Sequence, residues 1–252
     1  MQKIIVGNWK LNLDHLEAIS HLQKINYSLS DKILSDVNVV VAPSHTSLRS
    51  IQTVIDTDNL KIETAAQDVS QYEDGPYTGE VSSLQLSKLN IKWAIIGHSE
   101  RRINFNETNE IINNKLKNLL KNNIQPILCI GEDINQRDQD KHIDTCIKQV
   151  QETLKGIRKD NLQKVIVAYE PIWAIGTGIV AKPEHAVEII SEIKRFLTSK
   201  SFDLEQFQFI YGGSVHSDNA KGFMVTDSID GFLVGGSSLS SDEFVRIIKL
   251  SI

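Results

Sequence analysis

With 252 residues, 40% of them hydrophobic and 23% charged, the chain has the composition of an ordinary globular protein large enough for a substantial core. Its net charge of −5 argues against a nucleic-acid partner, which needs a positive surface, while leaving room for a local cationic pocket. Two cysteines, Cys129 and Cys146, are too few for a disulfide scaffold at this size and are read as reduced packing residues.

The opening MQKIIVGNWK enters a strand directly, with no apolar signal region, and no apolar run reaches membrane-spanning length. A cytoplasmic protein without a membrane partner is therefore expected. Apolar, β-branched runs recur at 3–7, 37–42, 61–65, 91–97, 124–130, 164–169, 207–211 and 229–234. Several, such as Val37-Asn38-Val39-Val40-Val41, are apolar on both faces, as strands covered on one side and packed on the other must be. Helical spacing appears between them. Ile112, Leu116, Leu119 and Leu120 mark a helix within 107–122, and Ala186, Ile189, Ile190, Ile193 and Leu197 another within 184–198. Pro183 suits a first helical position, but Lys182 stands where a capping Ser or Thr would be about 1 kcal/mol better. After strand three a long loop leaves space only for a short helix, 80–89. Eight such units without a linker predict an α/β fold, a single (β/α)8 barrel with eight parallel strands spanning 1–252. An open doubly wound sheet would want a Gly-X-Gly-X-X-Gly turn after strand one, where Asn8-Trp9-Lys10-Leu11-Asn12 stands instead.

In a barrel, chemistry gathers at the C-terminal strand ends. Strand one ends with Asn8 and Lys10, two apart and hence on one face; strand four ends with His98 and Glu100, spaced likewise. Strand six ends with Glu170, strand seven with Tyr211-Gly212-Gly213-Ser214, and strand eight with Val234-Gly235-Gly236-Ser237. Singly, each has a bland reading as a solvated charge, a structural histidine or a simple turn. Five sets at one end of different strands weaken those readings together. Glycine turns hold a phosphate dianion through backbone N–H groups, and Gly176, Ser214, Gly235 and Gly236 are placed to do so. Lys10 adds a positive charge, Glu170 takes a proton from carbon, and His98 and Asn8 polarise the neighbouring oxygen. Beyond Glu170, the stretch from Pro171 through Trp173, Ile175, Gly176, Thr177 and Gly178 has the composition of a mobile lid.

On the motifs GNWKLN (7–12), GHSERR (97–102), AYEPIWAIGTG (168–178), YGGS (211–214) and VGGSSL (234–239), the chain resembles the triosephosphate isomerases from end to end. The resemblance implies a cofactor-independent aldose–ketose isomerase of glycolysis and gluconeogenesis. It would interconvert dihydroxyacetone phosphate and D-glyceraldehyde 3-phosphate through an enediol(ate), with no metal. It makes Glu170 the base, His98 the electrophile, Lys10 the electrostatic anchor and Asn8 their support. Glu100 pairs with Lys10, Ser99 and Cys129 are supporting residues, and the lid runs over 171–181. It also implies a homodimer through the 67–80 loop. Thr78 would be the tip that reaches the partner, and Arg101 would bridge Glu107 and the partner's Glu80.

Departures from the family pattern are visible. Asp68 stands where Asn is usual and Asn106 where Gly is usual. The loop tip reads Gly75-Pro76-Tyr77-Thr78-Gly79 rather than Gly-Ala-Phe-Thr-Gly, and the far lid hinge is Ile179-Val180-Ala181 rather than Lys-Thr-Ala. Among rivals, a Schiff-base aldolase would want a buried lysine where Glu170 stands, whereas Lys164 lies at the start of that strand. A metal-dependent aldolase needs a histidine cluster, and only His98 is well placed. A binding protein built on an inactive isomerase should have lost a charged catalytic residue, and none is missing; a second, non-catalytic role stays open.

Overall fold

Strand β1 (Lys3–Asn8) is hydrogen-bonded on one side to β2 (Val37–Ala42) and on the other to β8 (Gly231–Val234), and this second pairing turns a sheet into a ring. Between them run β3 (Glu63–Ala66), β4 (Trp93–Ile96), β5 (Gln125–Ile130), β6 (Val165–Tyr169) and β7 (Phe207–Tyr211). Every neighbouring pair is parallel and in sequence order, giving the expected closed barrel of eight strands. The structure, a computed structural model, describes residues 2–159, 162, 165–175 and 181–252. Lys164, placed by the sequence at the start of strand six, lies outside them.

Helices α1 (His15–Tyr27), α2 (Asp31–Asp36), α3 (His45–Asp58), α4 (Ser83–Lys88), α5 (Ser99–Asn104) and α6 (Asn109–Lys121) cover the first half of the ring. Helices α7 (Ile134–Asp138), α8 (His142–Thr153), α9 (Pro183–Ser199), α10 (Ser217–Met224) and α11 (Ser241–Leu250) cover the second. Their boundaries follow local chemistry. Asp14 with Glu17, and Ser82 with Gln85, form reciprocal capping boxes at the starts of α1 and α4. The Ser82 box explains why α4 begins at Ser83 rather than at residue 80. At α9, Pro183 is the first helical residue, and the cap Lys182 offers no acceptor; His185 answers in part, its Nδ1 accepting the Lys182 N–H at 3.3 Å. Strand β3 starts two residues later than the apolar run suggests, because its ladder to β2 opens only at Val40 opposite Glu63.

Alternation along the strands makes two cores. Ile4, Val6, Val40, Ile95, Ile127, Ile166 and Ile210 point inward and fill the barrel, so it is a packed interior and not a pore. Ile5, Val39, Ile96, Leu128, Val167 and Phe209 point outward under the helices. A fully buried aliphatic side chain contributes about 1.5–3 kcal/mol, which makes both layers necessary. Among the described residues no helix is long and apolar enough to cross a membrane. At the N-terminal mouth the Glu63 carboxylate accepts from Asn38, Lys92 and Trp93, and these donors, outweighing the cost of burial, hold it below its usual range.

Candidate active site

The inward row that fills the barrel with Ile4 and Val6 ends on Asn8, and the row Ile166, Ala168 ends on Glu170. Both polar side chains are buried at the C-terminal mouth, Glu170 only 1% exposed. Strand alternation does not account for their neighbours. Lys10 lies beyond β1 with φ 53°, a left-handed conformation that costs a lysine roughly 1–3 kcal/mol and is tolerated only where other contacts impose it. Here the Asn8 Oδ1 accepts the Lys10 N–H at 3.1 Å, and Gln67 Nε2 donates to the Lys10 carbonyl at 2.8 Å and to that of Ala42 at 2.9 Å. Likewise β4 stops at Ile96, and His98 is the N-cap of α5 with Glu100 in its first turn. The two-residue spacing therefore reports a loop and a helix cap, not the pleat of a strand. His98 Nδ1 accepts the Glu100 N–H at 3.2 Å, so the ring's proton sits on Nε2.

That Nε2 faces the carboxylate of Glu170, 3.1 Å from Oε1 but without hydrogen-bond alignment, which leaves Oε1 buried and unpartnered. The other oxygen, Oε2, accepts the Ser99 N–H at 2.9 Å. A carboxylate held by one oxygen with the other free keeps a lone pair available to accept a proton. Gly212 makes room for it: a Cβ there would meet Glu170 Cγ at 3.0 Å. Lys10 Nζ donates to Glu100 Oε1 at 2.6 Å, a half-exposed pair whose worth to stability is at most about 1 kcal/mol. Cys129 is fully buried in the barrel, its thiol pushed well up by burial and by the negative charge of Glu170. It is a neutral filler, and neither it nor buried Cys146 is paired in a disulfide.

Asn8, Lys10, His98, Glu170 and Ile175 share one hollow of about 300 Å³ with Ser214, Gly235 and Gly236 on its far wall. Ser214 Oγ donates to the Ala174 carbonyl at 2.9 Å, tying that wall to the segment that follows Glu170. After Pro171 a single 3-10 turn, Ile172–Ala174, carries Trp173, whose Nε1 donates to Glu132 at 2.8 Å. Glu132, fully buried, also accepts from the Tyr169 hydroxyl and from Arg137, each at 3.0 Å. Gly176, Thr177 and Gly178, with Ile179 and Val180 of the expected hinge, lie outside the described residues. Two larger hollows, of about 390 and 710 Å³, both lined by Glu63 and Lys92, open at the opposite mouth, where barrels carry stability and not chemistry. Among the described residues no group of three or more His, Cys, Asp or Glu side chains could hold a metal ion.

Beside the hollow stands the 67–80 loop, with Thr78 and Glu80 exposed at its far end and Tyr72 stacked on Tyr77 at 3.6 Å. Its root is fastened by charge. Asp68 meets Lys115 Nζ at 2.6 Å and Arg101 Nη2 at 2.9 Å, while Glu107 takes Arg101 Nε at 2.6 Å and also Lys115. Burial raises the Asp68 carboxyl above its ordinary value of 3.8, with Lys115 and Arg101 offsetting only part of that cost. A raised carboxyl takes up a proton on folding, so its contribution to stability is lost as pH rises from 3.8 through the folded-state value. Urea unfolding at fixed protein concentration should therefore show the parent losing stability relative to Asp68→Asn over that interval. A parent that gains on the variant instead would mean that the ion pairs outweigh burial.

Several supports were given no role of their own by sequence reasoning: Gln67, Glu132, and Arg102 and Gly212, which were named only within their motifs. Arg102 donates to the carbonyls of Gly97 at 2.7 Å and Cys129 at 3.1 Å, lashing the ends of β4 and β5 together. Glu132 had a readable signal, a carboxylate immediately after an apolar strand and a glycine, as at the other strand ends. The departure at Asn106 has a backbone reason, since φ is 55° there and Asn tolerates that region after Gly best.

Known proteins share this plan along the whole chain. The sequence model described as "Triosephosphate isomerase" matches residues 3–251. A triosephosphate isomerase of Saccharopolyspora erythraea is 44% identical over 252 residues, covering 99% of this chain and 97% of that one. Those of Streptomyces coelicolor, at 45% over 248 residues, and Mycobacterium bovis, at 40% over 250, each cover 98% of this chain and 96% of their own. A ring of eight parallel strands, a buried carboxylate facing an imidazole at its C-terminal mouth, and relatives alike from end to end agree on one conclusion: the chain belongs to the triosephosphate isomerase family.

Proposed function

We propose that the protein interconverts dihydroxyacetone phosphate and D-glyceraldehyde 3-phosphate, using its own side chains and no cofactor, and that it works in the cytoplasm. The observation that carries this reading is convergence: a buried carboxylate, an imidazole and an ammonium around one hollow whose far wall is a set of glycine-rich turns. The phosphate rests on backbone N–H groups of Ser214, Gly235 and Gly236, joined by Gly176 when the lid closes. Glu170 takes a proton from carbon 1 of the ketone, and the electron pair moves into the carbonyl to give the enediolate. His98 donates from Nε2 to the oxygens and moves the hydroxyl proton from one to the other, while Lys10 offsets the developing charge. Glu170 then returns its proton to carbon 2. In the triosephosphate isomerase family a neutral imidazole works beside a glutamate base, and His98 and Glu170 take those parts here by likeness.

Supporting parts follow from position. The Ser99 N–H holds the base, Glu100 and Asn8 hold Lys10, and the Cys129 thiol is the floor below. The lid, from Pro171 and Trp173 through Ile175, Thr177 and Gly178, keeps water from an enediolate that would otherwise expel its phosphate. A coupled assay with glyceraldehyde 3-phosphate tests the reading. Turnover near the diffusional ceiling, a class in which this family already stands, is expected, and a folded but inert protein would overturn it.

The protein pairs with a second copy through its 67–80 loop, Thr78 entering the partner's mouth and Arg101 bridging to the partner's Glu80. In support, large apolar side chains stay exposed on three neighbouring strand-end segments: Leu11, the Tyr72–Tyr77 stack, and Ile103 with Phe105. Sedimentation at low concentration should give the mass of two chains, and a monomer there would remove the pairing.

A further inference from the structure

The geometry points to Gln149 as a positioning residue for the base, an inference that rests on the reading of Glu170 given above. Glu170 is the first residue beyond β6, and its backbone lies against the end of β5. The Glu170 N–H donates to the Ile130 carbonyl at 2.7 Å, and the Ile172 N–H to that of Glu132 at 3.1 Å. Gly131 sits between these two bonds, so close that a Cβ on it would stand 1.8 Å from the Glu170 carbonyl oxygen and 2.8 Å from its carbon. The location of the Gly131 peptide therefore decides where the backbone of the base rests.

One side chain holds that peptide. Gln149 Oε1 accepts the Gly131 N–H at 2.8 Å, and its Nε2 donates to the Gly131 carbonyl at 2.9 Å. A carboxamide presents a donor and an acceptor side by side, the match for both polar groups of one residue's backbone. Gln149 rides on α8, which is fastened to the barrel by buried Cys146, Val150 and Thr153. The clamp thus ties the base's support to a rigid helix, without touching substrate or any reacting atom. Without it, the buried Gly131 groups lose their partners and the backbone relaxes toward or away from Glu170.

Gln149→Met, of similar size and equal helix propensity, removes both bonds. It should lower kcat by roughly 10–100-fold, the range for an outer group that orients a working one, while KM for glyceraldehyde 3-phosphate stays within about 2-fold. Affinity for inorganic phosphate, which reports on the far wall and the lid, should be unchanged. A parent that is inactive defeats the functional reading; an active parent matched in kcat by a folded Gln149→Met defeats this inference alone. Phosphate affinity falling with kcat would place the effect in the lid and overturn the assignment. If Gln149→Met does not fold, Gln149→Glu, which keeps an acceptor for the Gly131 N–H, decides by the same split. Failure of both variants to fold would make the clamp a folding device and overturn it too.

Discussion

Replacing Glu170 by glutamine is expected to cut turnover by at least about 10³-fold, toward the upper end of what one general base contributes. The amide has the shape of the carboxylate and still offers an oxygen to the Ser99 N–H, now at 2.9 Å from Oε2, so the fold has no reason to change. What disappears is basicity. Oε1, buried, 3.1 Å from His98 Nε2 and without a hydrogen-bond partner, offers the lone pair that the proposed proton abstraction needs. Circular dichroism and urea unfolding should match the parent while the coupled assay falls. Near-normal turnover in Glu170→Gln would remove this residue as the base.

Lys10→Met carries the second large expectation, a loss of roughly 10²–10³-fold in kcat/KM, as for removal of one donor aimed at developing charge. Among the residues lining the hollow, Lys10 is the lysine or arginine present. Its removal also leaves Glu100 beside the substrate without the partner it holds at 2.6 Å. Two effects are therefore combined, and Lys10→Met with Glu100→Gln separates them: recovery in the double variant measures the repulsion, and the remainder measures the lost ammonium. Stability should change by less than about 1 kcal/mol, because the pair is half exposed. A variant with parent-like kcat/KM would take Lys10 out of the reaction.

What was legible in the sequence followed from periodicity. Apolar runs of two-sided strands located all eight staves of the barrel, and 3.6-residue spacing located α6 and α9 to within two residues. The same alternation carried Asn8 and Glu170 to the mouth. Periodicity ends where strands end, and so did that kind of inference. Lys10 and Glu100 were matched to the right region by a pleat they do not follow, since a left-handed residue and a helix cap place them. Supports that bind backbone from afar left no pattern at all. Gln67 reaches Lys10 across 57 positions, and Gln149 reaches Gly131 across 18. Such bonds are specific in space and silent along the chain. The short helices α2, α5 and α7 were missed because one or two turns show too little of a helical period to stand out.

The closure of the ring sets an order on the protein's manufacture. Ile4, on the first stave, lies opposite Gly231 on the last, and the turn Gly235-Gly236 follows it. Bringing such distant segments together costs loop entropy before any contact repays it. In the order of synthesis Asn8, Lys10, His98 and Glu170 all precede the Gly235-Gly236 turn that completes the hollow's far wall. The hollow is therefore complete only once the eighth strand has been made and has closed on the first, and a chain ending before Gly231 lacks one wall of it however well its earlier helices have formed.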